Sequence, residues 1–163
     1  MDKFIRKRNR LQNYDYSQSA WYYVTVCPNI KKDWFGKFIG KEIQINDEGI
    51  IIEERWRWLE DNFSNVKIKD FVIMPDHFHG VISINSVVTG LDLSLQKQYT
   101  LSNIIGAFKT TSSKQIHLSG YNDFKWQRSF YDRIIRNETD YLRIKKYIFD
   151  NPLDWYLEHR DRR

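Results

Sequence analysis

Cysteine is almost absent from this chain: Cys27 is the only one in 163 residues. A disulfide scaffold and a cysteine-built zinc site are therefore excluded, Cys27 reads as a buried apolar residue, and a reduced, cytoplasmic setting is the expectation. Long apolar runs are missing as well. No stretch approaches the roughly 20 residues of a membrane helix, and the basic N-terminus is not followed by the apolar core of a secretory signal. The expectation is a soluble protein with no membrane partner. Proline occurs only at positions 28, 75 and 152, and no linker, internal repeat or low-complexity tract divides the sequence. At this length the chain reads as one domain over 1–163 with a single core.

Positive charge and aromatic rings are what the chain has in quantity. Twenty-six Lys and Arg stand against 21 Asp and Glu, a net charge of +5, which favours a polyanionic partner. Lys3, Arg6, Lys7, Arg8 and Arg10 form a basic arm within residues 1–18, and Arg160, Arg162 and Arg163 end a basic tail over about 153–163. Six Trp, ten Tyr and ten Phe are often set beside cations, as in Phe124-Lys125-Trp126-Gln127-Arg128. That interleaving suits stacking on unpaired bases while cations hold the backbone, although most of the rings belong in a core.

Trp21 to Cys27 is β-branched and aromatic and reads as a strand, and Lys37 to Ile45, with Gly40 inside it, as a small hairpin. Asn46 or Asp47 caps a helix reaching about Asn62. Val66 to Ile73 and His77 to Ile84 read as two strands broken by Met74-Pro75-Asp76. Ser86 to Tyr99 has no period and reads as a loop. Thr100 or Ser102 starts a second helix that reaches about His117. Phe130 to Ile135 is a further strand, and Asn137 caps a last helix that Pro152 stops. The succession matches an α+β, ferredoxin-like split β-α-β fold: an antiparallel sheet, helices on one face, and an extra C-terminal helix. The second pair of strands is expected at the centre.

His77 and His79 are one residue apart on a strand, so they project from the same face and can hold one metal ion. On the last helix Thr139, Arg143, Tyr147 and Asn151 are spaced four apart, beside an apolar row of Tyr141, Ile144 and Ile148 that docks the helix. Tyr147 is thus free to face a site, where a metal on a phosphate would ease attack by its phenol. Asn151, one turn on, could offer its amide oxygen to that metal. Tyr131 and Tyr141 are the competing tyrosines.

Met74-Pro75-Asp76-His77-Phe78-His79-Gly80, then the run from Trp126 to Glu138, then Tyr147-Ile148-Phe149-Asp150-Asn151-Pro152 together resemble the REP-associated tyrosine transposases, a branch of the single-tyrosine HUH transposases. Asn13 to Ser17 and Ser102 to Lys109 also look like family segments. The resemblance implies a nuclease and strand transferase for single-stranded or hairpin DNA. By position it implies His77 and His79, with Asn151, as ligands of Mg²⁺ or Mn²⁺, and Tyr147 as the nucleophile that forms a 5′-phosphotyrosine link. Asn151 stands where relatives often carry Gln, one carbon longer. Arg6, Arg8 and Arg10 on the arm, with Lys109, Arg128, Arg133, Arg136 and Arg143, are the candidate DNA contacts. His117 and His159 are expected outside the site. A monomer and a homodimer both remain open. A DNA- or RNA-hairpin binding module without the chemistry is the alternative.

Overall fold

The computed structural model describes residues 19–85 and 99–159. The basic arm with Arg6, Arg8 and Arg10, the segment Asn13 to Ser17, positions 86–98 of the expected loop, and residues 160–163 of the tail lie outside them. The elements are β1 (Ala20–Val26), β2 (Gly36–Ile39), β3 (Glu42–Ile45), α1 (Asp47–Asn62), β4 (Val66–Met74), β5 (His77–Ile84), α2 (Leu101–Leu118), β6 (Tyr131–Ile135) and α3 (Glu138–His159). Local chemistry explains most of the boundaries. Asn46 Oδ1 accepts from Gly49 N–H to start α1, Thr100 and Asn103 form a reciprocal capping box on α2, and Asn137 Oδ1 accepts from Asp140 N–H on α3. Gly40, at φ 61°, takes the positive-φ place in the two-residue turn between β2 and β3.

Four strands form an antiparallel sheet in the order β4-β5-β1-β6, and β2 and β3 make a separate hairpin. This is the ferredoxin-like order, with α1 and α2 on one face. Only β5 of the second strand pair is central; its neighbour is β1, and β4 lies at the edge. The expectation of two adjacent central strands failed because a turn as short as Pro75-Asp76 fixes which strands pair but not which of them meets β1.

Among the described residues, alternation along β1 and β5 shares the buried apolar side chains between the two faces of the sheet. On one face Tyr22, Val24, Phe78 and Ile82 pack under α1 and α2 with Ile52, Trp56, Ile104 and Phe108. On the other Tyr23, Val81 and Ile135 receive Ile144 and Ile148 of α3. Covered on both sides, β5 is buried along nearly its whole length. Gly80 is dictated by this packing: a Cβ there would lie 2.6 Å from Cζ2 of Trp56, whose ring packs at a tilt against Phe78 with centroids 4.7 Å apart. Cys27 is only partly buried.

Pro152 does not end α3, which continues to His159. Proline removes one intrahelical hydrogen bond, but the following turn is held from outside, Trp155 stacking on Phe38 at 4.8 Å with the rings 7° apart. The first part of the expected basic tail, 153–159, is therefore helix. No helix among the described residues is long and apolar enough to cross a membrane.

Candidate active site

Strand register brings two histidines and a ring of hydroxyls to the face under α3. Thr25 of β1 lies opposite His79 of β5 and opposite Tyr131 of β6, while Tyr23 lies opposite Val81 and Arg133. His77 Nε2 and His79 Nε2 face each other at 2.9 Å. Each imidazole is anchored through its other nitrogen. Asp76 Oδ1 lies 2.6 Å from His77 Nδ1, and His79 Nδ1 meets Tyr23 Oη at 2.7 Å and Thr25 Oγ1 at 2.9 Å.

The protonation states follow from these partners. The bond from His77 holds the Asp76 carboxyl below its ordinary range, with Lys31, 3.8 Å away, adding to the effect. An ionised Asp76 accepts Nδ1–H, so Nε2 is the nitrogen through which His77 would bind a metal. Burial, and then the charge of His77, lower the imidazolium of His79 to about 3, so at neutral pH this ring carries no charge. Without a cation, His79 Nε2–H can donate to His77 Nε2 while a hydroxyl donates to His79 Nδ1. Hydroxyls also accept, so His79 can move its proton to Nδ1 and present a second lone pair.

Two imidazole nitrogens at this separation suit one ion. Two adjacent ligands at about 2.1 Å in octahedral coordination are about 3 Å apart, and the observed 2.9 Å matches. A carboxylate behind one ligand and hydroxyls behind the other are the outer partners that orient metal-bound imidazoles. Among the described residues no group of three or more His, Cys, Asp or Glu side chains is placed to hold a metal.

Tyr147 stands beside this pair, its ring 5.7 Å from that of His79 and 6.2 Å from that of Tyr23, with about half of its surface exposed. Ile144 and Ile148 dock α3, and the helical turn then turns Tyr147 along the sheet toward the histidines. Asn151 is buried one turn further on. The other tyrosines are placed differently. Tyr141 OH donates to the Asp70 carboxylate, and burial together with that carboxylate push its pKa up to about 12, which opposes a nucleophilic role. Tyr131 is half exposed, with its ring 6.5 Å from Tyr23.

No family model matches the chain. An uncharacterized protein of Haemophilus influenzae Rd is 34% identical over 161 residues, covering 92% of this chain and 89% of its own length. The chain belongs to the family of that protein. Among solved structures, a REP-associated tyrosine transposase bound to a REP hairpin aligns with a TM-score of 0.64 at 16% identity, covering 89% of this chain and 73% of that one. A candidate transposase of Deinococcus radiodurans R1 aligns at 0.52 and 12% identity, over 86% and 95% of the two chains. The fold is that of the REP-associated tyrosine transposases.

Within that fold the expected DNA contacts are dispersed. Lys109 Nζ donates to the carbonyls of Gln127, Arg128 and Ser129, bracing the segment before β6. Arg128 is exposed at the rim of a concavity beside α2. Arg133 pairs with Asp140 at 2.6 Å on the α3 side of the sheet. Arg136 borders a second cavity of about 470 Å³ with Trp21 and Tyr141, and Arg143 is exposed one turn before Tyr147. His117 Nε2 lies 2.8 Å from the Phe124 carbonyl, away from the histidine pair. The side chain of His159 is outside the described residues.

Nothing in the sequence alone singles out Tyr23, Thr25 or Lys31, and Asp76 stands in it only as part of the run from Met74 to Gly80. Asp76 was readable as a carboxylate adjacent to the first histidine. Tyr23 and Thr25 alternate on β1 on the correct face, but no local signal says that β1 pairs with β5.

Proposed function

We propose that this protein is a metal-dependent single-stranded DNA endonuclease and strand transferase that acts at DNA hairpins through Tyr147. The observation that carries the reading is the pair of facing Nε2 atoms with a half-exposed phenol beside them. The resemblance of the motifs and the hairpin-bound structure with the same fold support it. His77 and His79 would hold Mg²⁺ or Mn²⁺, with the Asn151 amide as a further candidate ligand. When bound, the ion would polarise the scissile phosphate and offset charge that develops on its oxygens.

Tyr147 Oη forms a bond to phosphorus and loses its proton, the bond from phosphorus to O3′ breaks, and the departing oxygen takes up a proton as a 3′-hydroxyl. The product is a 5′-phosphotyrosine. Attack by another 3′-hydroxyl reverses the exchange and joins strands, so no energy source is consumed. Docking of α3 by Ile144 and Ile148 confines the phenol, which lowers the entropic part of the barrier.

Incubation of the protein with Mn²⁺ or Mg²⁺ and labelled hairpins from repeated palindromes, followed by denaturing gels and peptide mapping, tests the reading. A DNA adduct on Tyr147 that disappears in Tyr147→Phe is expected. An adduct on Tyr131 would move the nucleophile to β6. Binding without cleavage in both metals would make the protein a hairpin-binding module.

A further inference from the structure

Away from the histidines, the C-terminal half of α2 and the segment after it border an open, shallow concavity of about 660 Å³. Lys109, Lys114, Lys125 and Arg128 line it, and no Asp or Glu does. Its walls are fixed. Lys109 ties down three carbonyls, His117 pairs with the Phe124 carbonyl, Trp126 Nε1 donates to Ser112 Oγ at 3.0 Å, and the Phe124 and Trp126 rings are buried. Lys114, Lys125 and Arg128 are thus exposed cations on a rigid frame.

The groove lies at the same end of the sheet as the histidines, on the opposite face. A short turn after β1 joins the two. Gln127 N–H donates to the Cys27 carbonyl at 2.9 Å and Asn29 N–H to the Lys125 carbonyl at 2.7 Å. The same turn carries Lys31, whose Nζ is 3.8 Å from the carboxylate that holds His77. Cations thus stand both in the groove and, at Lys31, on the turn that joins it to the histidine side of the sheet. A small phosphate compound would need one cluster of cations. A series spread around a corner matches the repeating charge of a polymer backbone.

We propose that the phosphodiester backbone of the DNA flanking the cleaved bond follows this path, held by Lys114, Lys125 and Arg128 in the groove and by Lys31 at the turn. The proposal rests on the hairpin-processing reading and assigns a face of the protein to the flanking DNA. Cations and hydroxyls grip phosphates without reading bases, so the contribution is independent of sequence.

Equilibrium binding of labelled DNA hairpins to the full chain in EDTA, over a series of salt concentrations, provides the test. Lys114→Gln/Lys125→Gln is compared with Lys37→Gln/Lys41→Gln, which removes equal charge from the exposed β2–β3 hairpin. Each lost phosphate contact lowers the slope of log K against log salt by about 0.9 on duplex and about 0.7 on single strands. The groove variant should lose between ~1.4 and ~1.8 of slope and about tenfold in affinity, equally for hairpins of unrelated sequence. The control should keep the wild-type slope. Equal losses in the two variants, or none in the groove variant, would overturn the proposal. The measurement needs no cleavage, so a groove that binds while Tyr147 forms no adduct would defeat the catalytic reading alone. An adduct on Tyr147 with unchanged binding by the groove variant would defeat this inference alone.

Discussion

At the scale of single residues, the site consists of two imidazoles and the groups behind them. His77 has one outer partner, the Asp76 carboxylate, whereas His79 has two, the hydroxyls of Tyr23 and Thr25. That difference gives the variants an order. Asp76→Asn leaves His77 without an anionic acceptor for Nδ1–H and should weaken Mn²⁺ binding by ~10–100-fold, the usual cost of losing an outer partner. Tyr23→Phe keeps the ring packed under α3 and leaves Thr25 to hold His79, so its loss should be smaller. Adding Thr25→Val should bring the double variant to the level of Asp76→Asn. Calorimetric or paramagnetic titration with Mn²⁺ reads all three, and wild-type affinity in Asp76→Asn would show that these histidines are not a metal site.

At the scale of elements, α3 connects stability to chemistry. Ile148 is buried against Tyr23 and Val81, and its neighbour Tyr147 points along the sheet. Ile148→Ala removes three methyl or methylene groups from this small cluster and should cost ~2–4 kcal/mol in urea unfolding. Because the same contact aims the phenol, adduct formation should slow under conditions where the variant is still fully folded. A loss of stability with an unchanged rate would separate docking from catalysis. The elements were legible from sequence where their causes are local. Asn46, Thr100 and Asn137 are caps set by neighbours within three residues, and the alternation around His77 and His79 marks a strand whatever lies beside it. Strand order and the persistence of α3 beyond Pro152 have distant causes: β1 lies between β5 and β6, and Phe38, far back in the chain, supports Trp155. That Tyr147 faces away from the docking row was readable from helical spacing, whereas Tyr23 and Thr25 come beside His79 only through pairing with residues more than fifty positions away.

At the scale of the whole molecule, a buried neutral histidine couples the site to folding. His79 titrates near its ordinary 6.5 once the chain unfolds but at about 3 in the folded protein, because burial and His77 disfavour its charge. Between those values the unfolded chain binds the extra proton, so folding free energy falls as pH drops from 6.5 towards 3, by at most about 1.4 kcal/mol per pH unit for one proton. Asp76 acts in the same direction in a lower window. Its folded pKa lies below the ordinary 3.8, so its contribution is present above 3.8 and is lost as pH falls below it. Urea unfolding in EDTA at pH 7.5, 6.5, 5.5 and 4.5 should therefore show declining stability, and His79→Gln should flatten the decline whatever its stability at pH 7.5. Mn²⁺ at 100 times its dissociation constant should add about 2.7 kcal/mol near neutrality if it binds only the folded protein, and that increment should fade in acid as protons compete for the same nitrogens. Equal slopes in wild type and His79→Gln would mean that His79 does not carry the acid sensitivity of the fold. An increment from Mn²⁺ that survives in His79→Gln would place the ion elsewhere.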